Sequence, residues 1–126
     1  MKTQVNSKNA PGAIGPYSQA VKAGNFIYVS GQLPINAENG EMPSDIKGQT
    51  KQSLENVKAI LNEAGASLDN VVKSTVYLAD MSLFGEMNEV YAEYFTGVFP
   101  ARAAFAVKEL PKKALVEIEV VAFHCT

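Results

Sequence analysis

The run ALVEIEVVAFH, residues 114–124, limits the fold more than any other stretch of the chain. Read as a strand, it turns Val116, Ile118, Val120 and Ala122 to one side, an unbroken apolar face. Leu115, Val121 and Phe123 go to the other side with Glu117 and Glu119, so that face is half apolar. FIYVS at 26–30 behaves alike: Phe26 and Tyr28 alternate with Ile27 and Val29. A sheet of such strands needs cover on both sides, because a bare second face would be a large exposed apolar patch.

Only two segments carry helical spacing. Residues 44–65 place Leu54, Val57, Leu61 and Ala64 on one stripe with Ile60 beside it; Ser44 or Asp45 caps the start and Gly65 suits the exit. Residues 82–97 place Met87, Val90, Tyr91 and Tyr94 on a second stripe, with Ser82 as cap, and core packing accounts for that aromatic stripe. The remaining apolar runs read as strands. AVKAGNFIYVSGQL (20–33) is a hairpin turning at Gly24-Asn25, VVKSTVYLA (71–79) a β-branched strand, and ARAAFAVKEL (101–110) and the 114–124 run are the last strands. Asn39-Gly40 marks a turn. The order is two or three strands, helix, strand, helix, two strands: an α+β fold in one domain, 1–126. Two helices cover one face of the sheet, and the expectation is that other copies of the chain cover the second in a symmetric homo-oligomer.

A chain of 126 residues builds a core without disulfides or metals. The formal net charge of −2 and the absence of a basic block speak against general nucleic-acid binding. The single cysteine, Cys125, allows no internal disulfide and suits a reducing compartment. It adjoins the single histidine, His124, at a strand end, and one of each cannot fill a zinc shell, so no metal is expected. The first residues hold no apolar segment of the signal-peptide kind, and no run approaches the ~20 apolar residues of a membrane span, so a cytoplasmic protein is expected. Nucleophile elbows, Walker loops and dinucleotide fingerprints are missing.

One charged residue stands out. FPARAAFAV (99–107) contains Arg102, the only arginine beside ten lysines. A guanidinium stays ionised and grips a carboxylate through two parallel hydrogen bonds, and burial without a partner would be costly. Glu117 is the best partner within the chain, although both it and Glu119 would also fit a solvated sheet edge. Ala104 and Ala106 share Arg102's face by alternation and leave room for a pocket, or else pack closely against a neighbouring strand. Tyr17 in GPYS, Ser30 and Gly31 within an apolar strand, and Asn88 in the second helix are further candidates, each also explicable as structure.

Four segments taken together carry a family resemblance: GPYSQAV (15–21), VSGQLP (29–34), PARAAFAVKELP (100–111) and VEIEVVAF (116–123). In this order, and over essentially the whole chain, they resemble the Rid family, also called YjgF, and within it the RidA subgroup of reactive intermediate deaminases. The resemblance implies a chorismate-mutase-like fold, a mixed sheet with two helices on one face. Three chains would form a homotrimer around a central β-barrel, with sites in clefts between subunits. It implies hydrolysis of 2-iminobutanoate and 2-iminopropanoate to 2-keto acids and ammonia, without cofactor or metal, protecting pyridoxal-phosphate enzymes. Arg102 matches the carboxylate-binding arginine, and Glu117 the glutamate that orients the attacking water. Tyr17, Ser30, Gly31 and Asn88 match pocket residues, and Phe84 an aromatic contact contributed across the interface. Some relatives carry a cysteine two residues after the arginine; Ala104 stands there, so a thiol at that position has no part in the mechanism. Other relatives have been called endoribonucleases or translation inhibitors, and a non-catalytic trimer that binds small carboxylates is a third reading.

Overall fold

The structure, a computed structural model, describes residues 1–125. Strands β1 (Lys2–Val5), β2 (Ala20–Ala23), β3 (Phe26–Gln32), β4 (Val71–Leu78), β5 (Ala101–Ala106) and β6 (Val116–Phe123) form one sheet in the order β1-β2-β3-β6-β4-β5. Helices α1 (Ile46–Glu63) and α2 (Phe84–Tyr94) pack on one face of it, giving the expected α+β fold. Only β4 and β5 are parallel neighbours, joined through α2; every other pair is antiparallel. Both β3 and β4 run antiparallel to β6, which lies between them, so α1 carries the chain across β6.

The hairpin turns where expected. Ala23 pairs with Phe26, and Gly24 takes the left-handed conformation, φ 61°, that glycine adopts at little steric cost. The side chain of Asp45 caps α1, accepting from the Gly48 N–H at 3.1 Å, a contact of the kind worth about 0.5–2 kcal/mol. Leu54, Val57, Ile60 and Leu61 are fully buried beneath it.

The second helix differs from expectation at both ends. Ser82 is not its cap: Asp80 accepts from the Ser82 N–H at 2.8 Å, opening a 3₁₀ turn at Met81–Leu83 that leads into α2. The helix stops at Tyr94 rather than 97, because Phe95 turns extended and buries its ring 4.6 Å from that of Tyr91. Strand β5 ends at Ala106, short of residue 110, and β6 starts at Val116, where the preceding Leu115 N–H is taken by Gln49 Oε1 at 2.8 Å. Strand β1 escaped sequence reading because three of its four residues are exposed and it lacks an apolar face.

The two faces of the sheet differ sharply. Val116, Ile118, Val120 and Ala122 of β6 lie with Ile27, Val29, Val76 and Leu78 in the core under the helices. On the opposite, open face Phe26, Tyr28, Phe105 and Phe123 remain between 39% and 50% exposed. Their rings nonetheless cluster: Phe26 meets Phe123 edge-on at 5.2 Å, and Tyr77 meets Phe105 edge-on at 5.5 Å. In β3, pairing shifts between Val29, opposite Val120, and Gln32, opposite Ile118. Ser30 and Gly31 together face Glu119 alone there, a β-bulge that bends the strand at the position of the expected site residues.

Candidate functional site

Arg102 lies near the start of the edge strand β5, level with Ser74 of β4. Ser74 is fully buried toward the helices and shares a 2.7 Å hydrogen bond with the Tyr91 hydroxyl. Arg102 shares that face. Its Nη1 donates to Asn88 Oδ1 at 2.7 Å, and its guanidinium carbon lies 4.8 Å from the ring centre of Tyr91 and 5.4 Å from that of Phe84. Two aromatic rings and one amide oxygen from α2 thus hold the cation, a cation–π arrangement that leaves its charge unneutralised. The group is exposed and borders a cleft of about 370 Å³ lined by Asn88, Tyr91, Ala92, Phe99 and Pro100. The single ion pair among the described residues is Lys47–Glu89, 3.3 Å and exposed. Burial held the Tyr91 phenol above its usual range, partly offset by the Ser74 bond and by Arg102's charge.

Glu117 is not Arg102's partner. It pairs across the sheet with Tyr77, on the open face, whereas Arg102 is on the helix face. The alanines after Arg102 likewise do not line its cleft; Ala104 packs partly buried against the core. Phe84 and Asn88 belong with Arg102 on the same chain.

The other expected residues gather elsewhere. Gly31 sits against the Glu117 carboxyl so closely that a Cβ on it would lie 2.9 Å from Glu117 Cδ and collide with Oε2. Any side chain there would have to push the Glu117 carboxyl aside. The Glu117 carboxyl is half-buried, and burial, reinforced by the charge of Glu119, raises its pKa above the ordinary 4.5. Burial and then Glu119 also raise the Tyr77 phenol. Ser30 donates its hydroxyl proton to the Ser18 carbonyl at 2.7 Å, so it presents only acceptor lone pairs to a ligand. Tyr17 and Gly31 line a second cleft of about 590 Å³.

Three buried amides that sequence reading passed over shape that second cleft. Gln19 accepts from the Ser7 N–H and donates to the Ser7 and Pro11 carbonyls at 3.1 and 2.8 Å, pinning the segment that leads to Tyr17. Asn56 donates to the Leu33 and Ile35 carbonyls at 3.1 and 2.9 Å. Gln49 holds the Leu115 N–H beyond the turn at Pro111–Lys113. Gln49, Ser53 and Asn56 stand at helical spacing among the apolar residues of α1, the one signal that could have revealed them.

Among the described residues no three of His, Cys, Asp and Glu are grouped to hold a metal ion, and no helix is long and apolar enough to cross a membrane. The chemistry present is a free guanidinium suited to a carboxylate and, on the other face, a half-buried carboxyl suited to proton transfer.

Residues 7–124 match the family model described as endoribonuclease L-PSP. A RutC family protein of Pyrococcus horikoshii is 57% identical over 124 residues, 98% of each chain. The 2-iminobutanoate/2-iminopropanoate deaminase of Escherichia coli is 45% identical, covering 97% of this chain and 98% of that one. Among solved structures, a putative endoribonuclease of Thermotoga maritima superposes with a TM-score of 0.96 at 48% identity, covering all of both chains. E. coli TdcF with bound serine does so with a TM-score of 0.94 at 41% identity, covering 97% and 98%.

Proposed function

We propose that this chain, which belongs to the Rid/YjgF family, hydrolyses short 2-imino acids such as 2-iminopropanoate and 2-iminobutanoate to 2-keto acids and ammonia, in sites shared between copies of the chain. The observation that carries the proposal is the separation of the two chemical groups. Arg102 and Glu117 lie on opposite faces of one sheet, so a small substrate meets both only where two chains abut. The uncovered aromatic face, Phe26, Tyr28, Phe105 and Phe123, supports such an assembly, and a homotrimer closed around that face is the arrangement proposed. Cytoplasmic detoxification of imines released by pyridoxal-phosphate enzymes is the setting this reading implies.

Arg102 binds the substrate carboxylate with two parallel hydrogen bonds, its aim fixed by Asn88 and the rings of Phe84 and Tyr91. Orientation of the imine is the main gain, since such imines already react with water and only a modest acceleration is required. Tyr17 and the Gly31 backbone bound the other side of the substrate, with Ser30 as an acceptor. Glu117 takes a proton from water as its oxygen attacks the imine carbon, giving a carbinolamine. The same carboxyl returns that proton to the nitrogen. The C–N bond of the protonated amine breaks, ammonia leaves, and the hydroxyl passes its remaining proton to the Glu117 carboxylate as the carbonyl of the 2-keto acid forms. A carboxyl with raised pKa suits both steps, because it holds a proton more readily than an exposed one.

The test generates 2-iminopropanoate in situ with an amino-acid oxidase and traps it with semicarbazide. Wild type is expected to suppress semicarbazone formation, and Arg102→Ala to abolish that suppression. Equal suppression by both would remove Arg102 from the site. Binding of the 2-keto acid product without any suppression would leave a non-catalytic carboxylate-binding protein as the reading.

A further inference from the structure

Arg102 lies on the edge strand β5, so within the chain only β4 supports its backbone from the side. The side chains that hold its guanidinium, Phe84, Asn88 and Tyr91, all come from α2. Its aim therefore depends on how firmly α2 is seated on the sheet at this point. Among the described residues, one side-chain hydrogen bond other than Arg102's own ties α2 to a strand: the 2.7 Å bond between the Tyr91 and Ser74 hydroxyls. Ser74 is the residue of β4 level with Arg102, so the anchored end of the Tyr91 side chain is one strand away from the cation that its ring supports. Both partners are out of water, Ser74 fully buried and Tyr91 5% exposed, where a hydrogen bond meets little competition. Phe95 packs its ring against that of Tyr91, centres 4.6 Å apart, and limits its rotation. A ring held at its hydroxyl and along a neighbouring ring is a rigid platform, and a long flexible arginine keeps one direction only where its support is locked in this way.

We propose that Ser74 is a positioning residue for Arg102: through its bond to the Tyr91 hydroxyl it fixes the ring that aims the guanidinium at the substrate carboxylate. Ser74 is buried and acts on the substrate only through Tyr91 and Arg102. This rests on the imine-hydrolase reading for the task of Arg102, whereas the aim of the guanidinium is measurable on the protein without substrate.

Arg102 is the only arginine, so its Nε–H gives the single arginine side-chain signal in a nitrogen–proton NMR correlation spectrum of the intact protein. In wild type that signal is expected to be displaced by the ring currents of Tyr91 and Phe84. Ser74→Ala is expected to move it toward the position of an exposed arginine, and Ser74→Thr, which keeps the hydroxyl, to hold it near the wild-type position. In the imine assay Ser74→Ala is expected to raise KM about ten-fold, the worth of one well-made hydrogen bond to a charged group, while kcat changes less. Should Ser74→Ala fail to fold, Tyr91→Phe removes the same bond from the helix side and keeps the ring. An Arg102 signal unmoved in a folded variant that lacks the bond overturns the inference, whatever the loss of stability. So does an unchanged KM in a variant that still turns over the imine. A signal moved by Ser74→Ala and restored by Ser74→Thr, in a protein that turns over no imine, would overturn the hydrolase reading and uphold the positioning.

Discussion

The two faces of the sheet are built from the same strands yet do different work. On the helix face, β6 buries Val116, Ile118, Val120 and Ala122 completely or nearly so, and the one polar feature at the edge, Arg102, is supported by α2. On the open face the same strand offers Glu117, Glu119 and Phe123 with no helix above them. The helix face is finished within one chain. The open face is left unfinished, with aromatic rings half exposed and a carboxyl partly desolvated. The difference teaches that the fold's stability is decided mainly on one side, while the proposed chemistry draws on both.

Subunit mixing presses hardest on that contrast. Arg102→Ala and Glu117→Gln are each expected to lower kcat/KM for imine hydrolysis by about 100-fold or more when alone. Unfolded together and refolded as a mixture, they are expected to recover activity at about one quarter of the sites, the share in which an intact Arg102 meets an intact Glu117 from a neighbour. No recovery in mixed oligomers would mean that one chain supplies both groups.

Truncating each face separates stability from assembly. Ile118→Ala is expected to cost about 2–5 kcal/mol by denaturant unfolding, as a fully buried core residue. Phe123→Ala is expected to cost less per chain, but to lower the oligomer's melting temperature increasingly as the protein is diluted. A dilution-independent melting temperature for both variants would break the distinction between a finished and an unfinished face.

The smallest effect concerns the open-face acids. The Glu117 pKa is raised in the folded chain, so the folded state holds that proton more tightly than the unfolded state does. Stability is therefore lost as pH rises from the ordinary value through the raised one. Glu117→Gln is expected to raise the melting temperature at neutral pH and to leave it unchanged below about pH 4. A gain of equal size at both pH values would show that desolvated charge is not its source.

Much of this was legible in the residues themselves. The alternation of VEIEVVAF gave the right buried set, that of FIYVS the apolar character of both faces, and the stripes of α1 and α2 marked their core faces. What was not legible had little pattern to show. Lys2–Val5 is an edge strand with one buried residue, and Ser82 looked like a cap because Asp80, two residues earlier, was not weighed against it. Gln19, Gln49 and Asn56 read as ordinary polar residues because a buried amide and an exposed one look alike in sequence, and only their backbone partners distinguish them.

The sequence alone determined which residues of each strand share a side, and singled out Arg102 and Glu117 as the residues to follow. Tertiary structure alone decided that those two sides are opposite. Alternation is a local property with a period of two, and it says nothing about how the faces of separate strands align. That is set by register: Ser74 level with Arg102 and Tyr77 level with Glu117 put the guanidinium on the helix face, beside α2, and the carboxyl on the open face. A slip of one residue in either pairing would have put both groups on the same side.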